Sequence, residues 1–182
     1  MEYGLEDVLL TTGRLELRPF CIEDVDDYFE YASDAEMSLY TLAPSPFTRR
    51  RAEEDVAGSI LNVGKNTPSF AVVQDSRMIG DVWLDINRES RVGEIGFDIA
   101  RRHWGEGLAA EAAAAVIEWG FANERLAKIT ASSDPRHKRA LRVLEKLGMT
   151  KEGVRRSHGI RNGRRVDYAI YGLLQHEWTD AD

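Results

Sequence analysis

The residues with the clearest chemistry lie between positions 101 and 112, where a glycine loop leads into an alanine-rich segment. The loop has the order Arg-x-x-Gly-x-Gly, with Arg102, Gly105 and Gly107 at its defined positions, and a predicted strand over residues 92–100 precedes it. The first N–H groups of a helix lack intrahelical partners, and the helix dipole adds positive potential there. Glycines let an anion approach such backbone groups closely. The spacing therefore predicts an anion site suited to a pyrophosphate.

Several ligand classes use loops of this kind. The dinucleotide fingerprint has a third glycine where this chain has Ala110, although alanine is sometimes allowed there. No Gly-Lys-Ser/Thr sequence follows the loop, which excludes the triphosphate-binding class. Taken alone, the loop is also compatible with a glycine-rich turn that binds nothing.

Length and composition predict one folded domain over residues 1–182, with a core from about 10 to 178. The hydrophobic fraction is 43%, no apolar run approaches the roughly 20 residues that span a membrane, and the N-terminal residues are acidic, unlike a secretory signal. The single cysteine, Cys21, cannot form an internal disulfide. We therefore expect a cytoplasmic protein without a membrane partner.

The net charge of −7 argues against nucleic acid as the main partner, because binding phosphates along a strand needs a basic face. The same charge would attract a cationic substrate such as an amine, or it could simply keep the protein soluble. No metal is expected, because the four histidines lack ligand spacing with a cysteine or carboxylate; they are His103, His137, His158 and His176.

Periodicity and turn residues predict short strands alternating with helices. Pro19 should end the first strand or confine it to an edge, Thr48 should cap a helix that follows a proline-rich loop over residues 42–47, and Asn162-Gly163 should form a hairpin turn. The predicted strands are residues 14–18, 70–73, 78–86, 92–100, 128–131, 153–160 and 165–174; the predicted helices are residues 22–32, 48–62, the segment after the glycine loop, and 136–147. This order predicts an α+β fold with a mixed, mostly antiparallel sheet and helices on both faces.

Several sequence blocks resemble, in the same order, the RimJ/RimL-like branch of the GNAT superfamily of acetyl-CoA-dependent N-acetyltransferases. The glycine loop fits the Gln/Arg-x-x-Gly-x-Gly/Ala signature of that superfamily. The other blocks are residues 12–20 with 23–24, 94–97, 142–149, 162–167 and 171–174. The resemblance implies the layered α/β/α GNAT fold, in which the strands starting near Val92 and Lys128 splay apart and the pantetheine arm of acetyl-CoA lies in the gap.

The resemblance also implies where acetyl-CoA binds. The backbone over residues 97–100 would hold the pantetheine amides and the thioester carbonyl, and the backbone over residues 102–109 would hold the pyrophosphate. The side chain of Glu106 should point to solvent, because a carboxylate is unfavourable inside an anion loop. The predicted cofactor-binding residues are Phe97, Asp98, Ile99, Arg102, His103, Trp104, Gly105, Glu106, Gly107, Leu108, Ala109, His137, Lys138 and Ala140.

Glu94 is the candidate general base, since it lies beside apolar residues three positions before the proposed acetyl site. Burial would raise the pKa of its carboxyl and make it a better base. Asp98 is the weaker alternative, because strand alternation places both carboxylates on one face. A carboxylate at Glu94 that merely pairs with an arginine is the structural alternative.

The chain departs from these relatives at the start of the second long helix. Relatives usually carry Asn-x-x-Ser there, where this chain has His137 and Ala140, and no tyrosine occurs over residues 141–149. The acid that protonates the leaving thiolate is therefore unassigned: water or His137 could serve, or the thiolate could leave unassisted.

The sequence predicts an N-acetyltransferase that moves the acetyl group from acetyl-CoA directly to a primary amine in a ternary complex. The amine could belong to a protein N-terminus or to a small molecule such as an antibiotic or amino acid. The alternative function is a catalytically weak acyl-CoA-binding or regulatory module. The C-terminal hairpin could support a homodimer, which is common in this branch.

Overall fold

The computed structural model describes residues 8–40, 46–61, 66–161 and 163–179. The strands of its sheet are β1 (Leu10–Thr11), β2 (Glu16–Pro19), β3 (Ser69–Gln74), β4 (Arg77–Asn87), β5 (Val92–Ile99), β6 (Lys128–Ser133), β7 (Thr150–Arg161) and β8 (Arg164–Leu174). The α-helices are α1 (Val25–Ala32), α2 (Arg49–Leu61), α3 (Leu108–Ala122), α4 (Lys138–Lys146) and α5 (Gln175–Thr179). No helix within these described residues is both long and apolar enough to cross a membrane.

The eight strands form one sheet in the order β1-β2-β3-β4-β5-β6-β8-β7. Every neighbouring pair is antiparallel except β5 and β6, which run in the same direction. The predicted mixed and mostly antiparallel sheet of an α+β fold is therefore confirmed.

Helices cover both faces of this sheet, as predicted. On one face, α3 and α4 bury a core that includes Leu84, Ile95 and Ile129. On the other face, α1 and α2 cover a smaller cluster that includes Ala71 and Met78. Because side chains alternate along a strand, β3 and β4 contribute residues to both clusters.

Several element boundaries differ from the sequence prediction for local reasons. The helix predicted over residues 22–32 begins with a 3-10 turn, Ile22–Asp24. Helix α4 begins at Lys138 instead of residue 136, because Asp134 holds the chain in a turn by accepting from the backbone N–H groups of Arg136 and His137.

The proposed cap of α2 is present, since the backbone N–H of Arg51 donates to Thr48 Oγ1 at 3.2 Å. Strand β7 is longer than predicted because it pairs with β8 along most of its length. Residues 42–45 of the predicted loop, residue 62 and Asn162 of the hairpin turn lie outside the described residues.

Gly96 allows a close approach between β4 and β5, and replacing it should destabilise the protein. A Cβ atom at Gly96 would lie 2.2 Å from the ring of Trp83, its register partner on β4. We expect Gly96→Ala to lower the free energy of unfolding by about 1–3 kcal/mol through overpacking. Gly58→Ala in α2 is the matched control, because nothing lies within 4 Å of its added Cβ atom. Urea denaturation measures both variants, and equal stabilities would contradict the packing assignment.

Candidate active site

The sheet opens between its two parallel strands. Strands β5 and β6 pair only from Val92 with Lys128 to Glu94 with Thr130. Beyond these pairs, the ladder between β5 and β6 ends, although β5 continues to Ile99 and stays paired with β4. Backbone groups along this edge of β5 are therefore available to pair with the amides of an extended ligand. The predicted splay between the two strands is present.

The glycine loop follows directly from the open end of β5. A 3-10 turn (Arg101–His103) leads to Trp104, whose indole Nε1–H donates to the carbonyl oxygen of Ile99 at 2.7 Å. Gly105 and Gly107 have φ values of 86° and 81°, in the left-handed region that favours glycine. Gly107 is also the N-cap of α3 and brings no side chain to the first amides of that helix. No side chain caps these amides, which is the arrangement that an anion site at a helix start needs.

Two cationic side chains from elsewhere in the chain reach this loop. A Cβ atom at Gly107 would lie 3.4 Å from Lys146 Nζ and 3.8 Å from Arg14 Nη2. Arg14 is fixed there by Glu111 of α3 and donates from Nη1 to the carbonyl oxygen of Glu106 at 3.1 Å. Together with the uncapped helix start, they bring positive charge to the loop, although Glu111 neutralises part of the charge of Arg14. Sequence reasoning missed both residues, because neither lies next to the motif in the chain.

The charged residues of the motif itself mostly face away from the loop amides. Arg102 pairs with Glu30 of α1 at 2.5 Å, so contact with a phosphate would require it to exchange partners. His103 Nδ1 lies 3.6 Å from Glu106 Oε1. The side chain of Glu106 is 47% exposed, in agreement with the expectation that it points to solvent.

The start of α4 borders the same opening. His137 is the N-cap residue of α4, and its ring stacks on Tyr40 with centroids 4.4 Å apart. Burial lowers the pKa of His137, and the positive charge of Arg139 lowers it further, so the imidazole is neutral near pH 7. His137 is therefore poorly suited to act as a cationic acid. Lys138 is exposed, and Ala140 is partly buried without a hydroxyl group to donate.

The loop and α4 also touch through a cation–π contact. The guanidinium carbon of Arg139 lies 3.9 Å from the ring centroid of Trp104. This contact holds the start of α4 against the residue that closes the end of β5. The core on the α3 side supports the loop. Leu108 is part of this core, and Phe97 and Ala109 pack against it.

The structure does not bury Glu94, which corrects the expectation on which its role as a base rested. Its side chain is exposed, and Glu94 Oε1 accepts a hydrogen bond from Ser132 Oγ at 2.6 Å. It forms this bond with a serine on β6, not with an arginine as the structural alternative proposed. Glu94 lies where β5 and β6 part, and it stays a candidate only as an exposed carboxylate.

Asp98 occupies the environment that was expected of Glu94. It is the register partner of Asp81 on β4, and both carboxyl groups lie on the face covered by α1. Burial raises the pKa of both carboxyls, and the charge of Asp81 raises that of Asp98 further. Tyr31 of α1 donates from its hydroxyl to Asp81 Oδ1 at 2.5 Å, whereas Asp98 accepts no hydrogen bond from the described residues. Because the two carboxyls interact, their protons leave in two steps that belong to the pair and not to either residue alone.

Sequence reasoning identified Asp98 as the second choice and missed Asp81 and Tyr31. Asp81 lies within the otherwise largely apolar stretch from Met78 to Leu84, which is a usable signal because an ionisable group there is costly unless it has a role. No pattern in α1 pointed to Tyr31, whose position depends on how α1 docks on the sheet.

The raised pKa of Asp98 predicts a pH-dependent effect of Asp98→Asn on stability. The folded state holds the Asp98 proton more tightly than the unfolded chain, so wild-type stability falls as pH rises from about 4 through the raised folded value. Asparagine removes this fall, so the variant should gain stability relative to wild type as pH increases. Urea denaturation at a series of pH values measures this. Asp85→Asn, an exposed neighbour on β4, is the control and should not show it; parallel curves for wild type and Asp98→Asn would refute the assignment.

Among the described residues, no group of three or more histidine, cysteine, aspartate or glutamate side chains could hold a metal ion. The features present are a split parallel strand pair, an uncapped helix start with the cations of Arg14 and Lys146 close by, and a carboxyl pair on β4 and β5. This arrangement fits an extended ligand that has amides at one end and phosphates at the other.

Comparison with known proteins identifies the family. The sequence profile of the acetyltransferase (GNAT) domain matches residues 14–150. An uncharacterized N-acetyltransferase, p20 of Bacillus licheniformis, is 33% identical over 175 residues, which cover 93% of this chain and 98% of that protein. The Escherichia coli [ribosomal protein uS5]-alanine N-acetyltransferase is 29% identical over 85 residues, which cover 47% of this chain and 44% of that protein.

Solved structures agree on the fold. An acetyltransferase of the GNAT family from Bacillus anthracis superimposes with a TM-score of 0.84 at 25% identity, covering 93% of this chain and 99% of the other. Mycobacterium smegmatis RimJ in complex with CoA-disulfide gives a TM-score of 0.86 at 16% identity, covering 98% and 97%. With a family profile that spans most of the chain and a relative that matches it almost end to end, the chain belongs to the GNAT family of N-acetyltransferases, which use acetyl-CoA as the acetyl donor.

Proposed function

We propose that this protein transfers the acetyl group of acetyl-CoA directly to a primary amine while both substrates are bound. The observation that carries the proposal is the unpaired edge of β5 leading straight into the uncapped start of α3. The backbone from Phe97 to Ile99 would bind the pantetheine amides and the thioester carbonyl. The amides of the glycine loop, with Arg14 and Lys146 close by, would bind the pyrophosphate.

Proton removal from the amine is assigned to Asp98 in this proposal, with Glu94 as the second candidate. Acetyl-CoA supplies the thioester carbon, to which the amine nitrogen bonds as the carbon–sulfur bond breaks. An amine must lose its proton before or during this attack, and a carboxylate with a raised pKa is the better acceptor for it. Asp98 meets that condition and lies on the strand that would hold the thioester.

The proton for the leaving thiolate has no assigned donor on this chain. His137 is kept neutral by burial, and Ala140 has no hydroxyl group. Water, or departure of the thiolate without protonation, fits these residues best. The same observation favours the second candidate function, a catalytically weak acyl-CoA-binding or regulatory module.

The acceptor could be a protein N-terminus or a small amine. The name of the partial relative from Escherichia coli supports the first, because that enzyme acts on an alanine of ribosomal protein uS5. The overall charge of −7 fits a cationic acceptor of either kind. An α-amine asks less of the base, since its pKa is about 7.7–8.0 compared with about 10.4 for lysine.

A thermal-shift assay followed by a transfer assay tests the proposal. Acetyl-CoA at 100 times its dissociation constant should stabilise the protein by about 2.7 kcal/mol, and NAD at the same concentration should not. Release of the CoA thiol is then followed with a panel of peptides and small amines. Binding with turnover supports the enzyme, and binding without turnover across the panel supports the regulatory module. Absence of a shift with acetyl-CoA contradicts both.

We also propose that the protein is cytoplasmic and forms a homodimer. A cytoplasmic location is supported by the single cysteine, Cys21. A homodimer through the C-terminal hairpin is supported by β7, an edge strand that exposes Val154 and Ile160. Sedimentation equilibrium of the purified protein distinguishes a monomer from a dimer.

A further inference from the structure

Four arginines gather where the hairpin of β7 and β8 turns. They line a pocket together with Val166. We call these four residues the arginine cluster: Arg136, Arg161, Arg164 and Arg165. The net charge of the protein is −7, so a local concentration of positive charge is opposite in sign to the charge of the whole chain. Neither the glycine loop nor the carboxyl pair uses any of these four residues.

A buried carboxylate fixes half of the cluster in place. Asp134 is 3% exposed and accepts two hydrogen bonds from Arg136, Nε to Oδ1 at 2.9 Å and Nη2 to Oδ2 at 2.7 Å. Arg161 Nη2 donates to the same Oδ2, and its side chain is 8% exposed. These contacts lower the pKa of Asp134, which is therefore ionised, and they fix the side chains of Arg136 and Arg161 at the pocket.

The remaining two arginines, Arg164 and Arg165, are exposed. Within the part of the chain that the structure describes, Arg164 forms no ion pair, and the side chain of Arg165 donates only to the carbonyl oxygen of Ser157 at 3.3 Å. Among the residues that the structure describes, the carboxylates whose charge acts on the arginine cluster are Asp134 and Asp167, and Asp167 accepts from the backbone N–H of Ser157. Four guanidinium groups against two carboxylates leave the pocket positively charged.

The arginine cluster and the candidate active site lie at the same end of the sheet, where β5 and β6 terminate. Asp134 directly follows β6, and Asp98 lies near the end of β5, the strand that runs parallel to β6. Tyr40 joins the two regions, because its ring stacks on His137 and lies under the guanidinium of Arg161, whose central carbon is 5.7 Å from the ring centroid. One side of the opening therefore carries two carboxyls, and the other carries the arginines.

We propose that the arginine cluster binds an anionic group of the acceptor, so that the acceptor is an amine that also carries a carboxylate or a phosphate. This inference rests on the proposed acetyl transfer and specifies its substrate class. The ammonium end would turn toward Asp81 and Asp98, and the anionic end toward Arg164 and Arg165. A guanidinium group matches both oxyanions with two parallel hydrogen bonds. Opposite charges on the two sides of the opening also disfavour the reversed orientation.

Matched acceptor pairs test the inference. Each pair differs only in carrying a carboxylate or the corresponding carboxamide, and a second set pairs a phosphate ester with the free alcohol, to separate the two oxyanions. Wild type should acetylate the anionic member with kcat/KM at least about tenfold higher, mainly through a lower KM. Arg164→Ala should remove most of this preference and leave kcat/KM for the neutral members unchanged. Arg156→Ala is the control, because it removes the same charge from an exposed site on the same hairpin.

The outcomes separate this inference from the transfer reaction itself. Equal kcat/KM for charged and neutral members would overturn the inference while acetyl transfer stands. An equal loss in Arg164→Ala and Arg156→Ala would also overturn it, because that result indicates a diffuse charge effect.

Failure to acetylate any amine would contradict the proposed reaction. A binding measurement then shows whether the arginine cluster binds an oxyanion. Protein saturated with CoA is titrated with inorganic phosphate against chloride at equal ionic strength, so that the glycine loop is already occupied. Thermal stabilisation of wild type that is lost in Arg164→Ala supports an oxyanion site, and identical curves overturn it.

Discussion

Gly105→Glu is expected to weaken acetyl-CoA binding by about a hundredfold or more. The substitution places a carboxylate within the loop whose amides and neighbouring cations would hold the pyrophosphate. Like charges about 4 Å apart repel by about 4 kcal/mol at an effective dielectric constant near 20, and part of that repulsion suffices for such a loss. Isothermal titration of acetyl-CoA into the purified variant measures it.

The control for this variant must carry the same backbone strain. Gly105 has a φ of 86°, and Gly163 in the hairpin turn has a φ of 73°; an added Cβ atom meets nothing within 4 Å at either position. Gly163→Glu should therefore cost similar strain but leave acetyl-CoA affinity near the wild-type value. Unchanged affinity in Gly105→Glu would refute the assignment of the glycine loop, whatever the control shows.

Asp98→Asn is expected to lower kcat for acetyl transfer by about a hundredfold while leaving acetyl-CoA affinity intact. Loss of a general base typically costs between about 10² and 10⁴ in rate. The asparagine side chain has nearly the same shape, so the backbone of β5 that would hold the thioester is preserved. Glu94→Gln is the matched comparison on the same strand and face, and it should retain most of the wild-type rate because Glu94 is exposed.

The pH profile distinguishes a base from a residue that only supports the fold. In wild type, kcat should rise with pH as Asp98 loses its proton, over a range above that of an ordinary aspartate because burial raises its pKa. Asp98→Asn should lose this limb and keep only the part due to ionisation of the amine. If Glu94→Gln loses activity and Asp98→Asn does not, the base is Glu94 and the assignment to Asp98 is wrong.

The sequence alone determined the features that depend on neighbouring residues. Gly105 and Gly107 predicted a strand-to-helix anion loop, because only local backbone geometry is needed to expose the first amides of α3. The alternation of short strands and helices predicted the α+β sheet, and the order of the sequence blocks along the chain indicated the family. One boundary shifted because a side chain captured the backbone, as Asp134 does before α4, and another because β7 pairs with β8 along most of its length.

The tertiary structure decided which distant residues meet at the site. Register between β4 and β5 places Asp81 beside Asp98, and the docking of α1 places Tyr31 on Asp81. Burial then separates two carboxylates that look alike in the sequence: Glu94 is exposed, and Asp98 is half-buried. Charge state depends on how much water a folded environment excludes and on which charges it brings near. Strand pairing and helix packing across long sequence separations set both quantities, so no local pattern of residues could have fixed them.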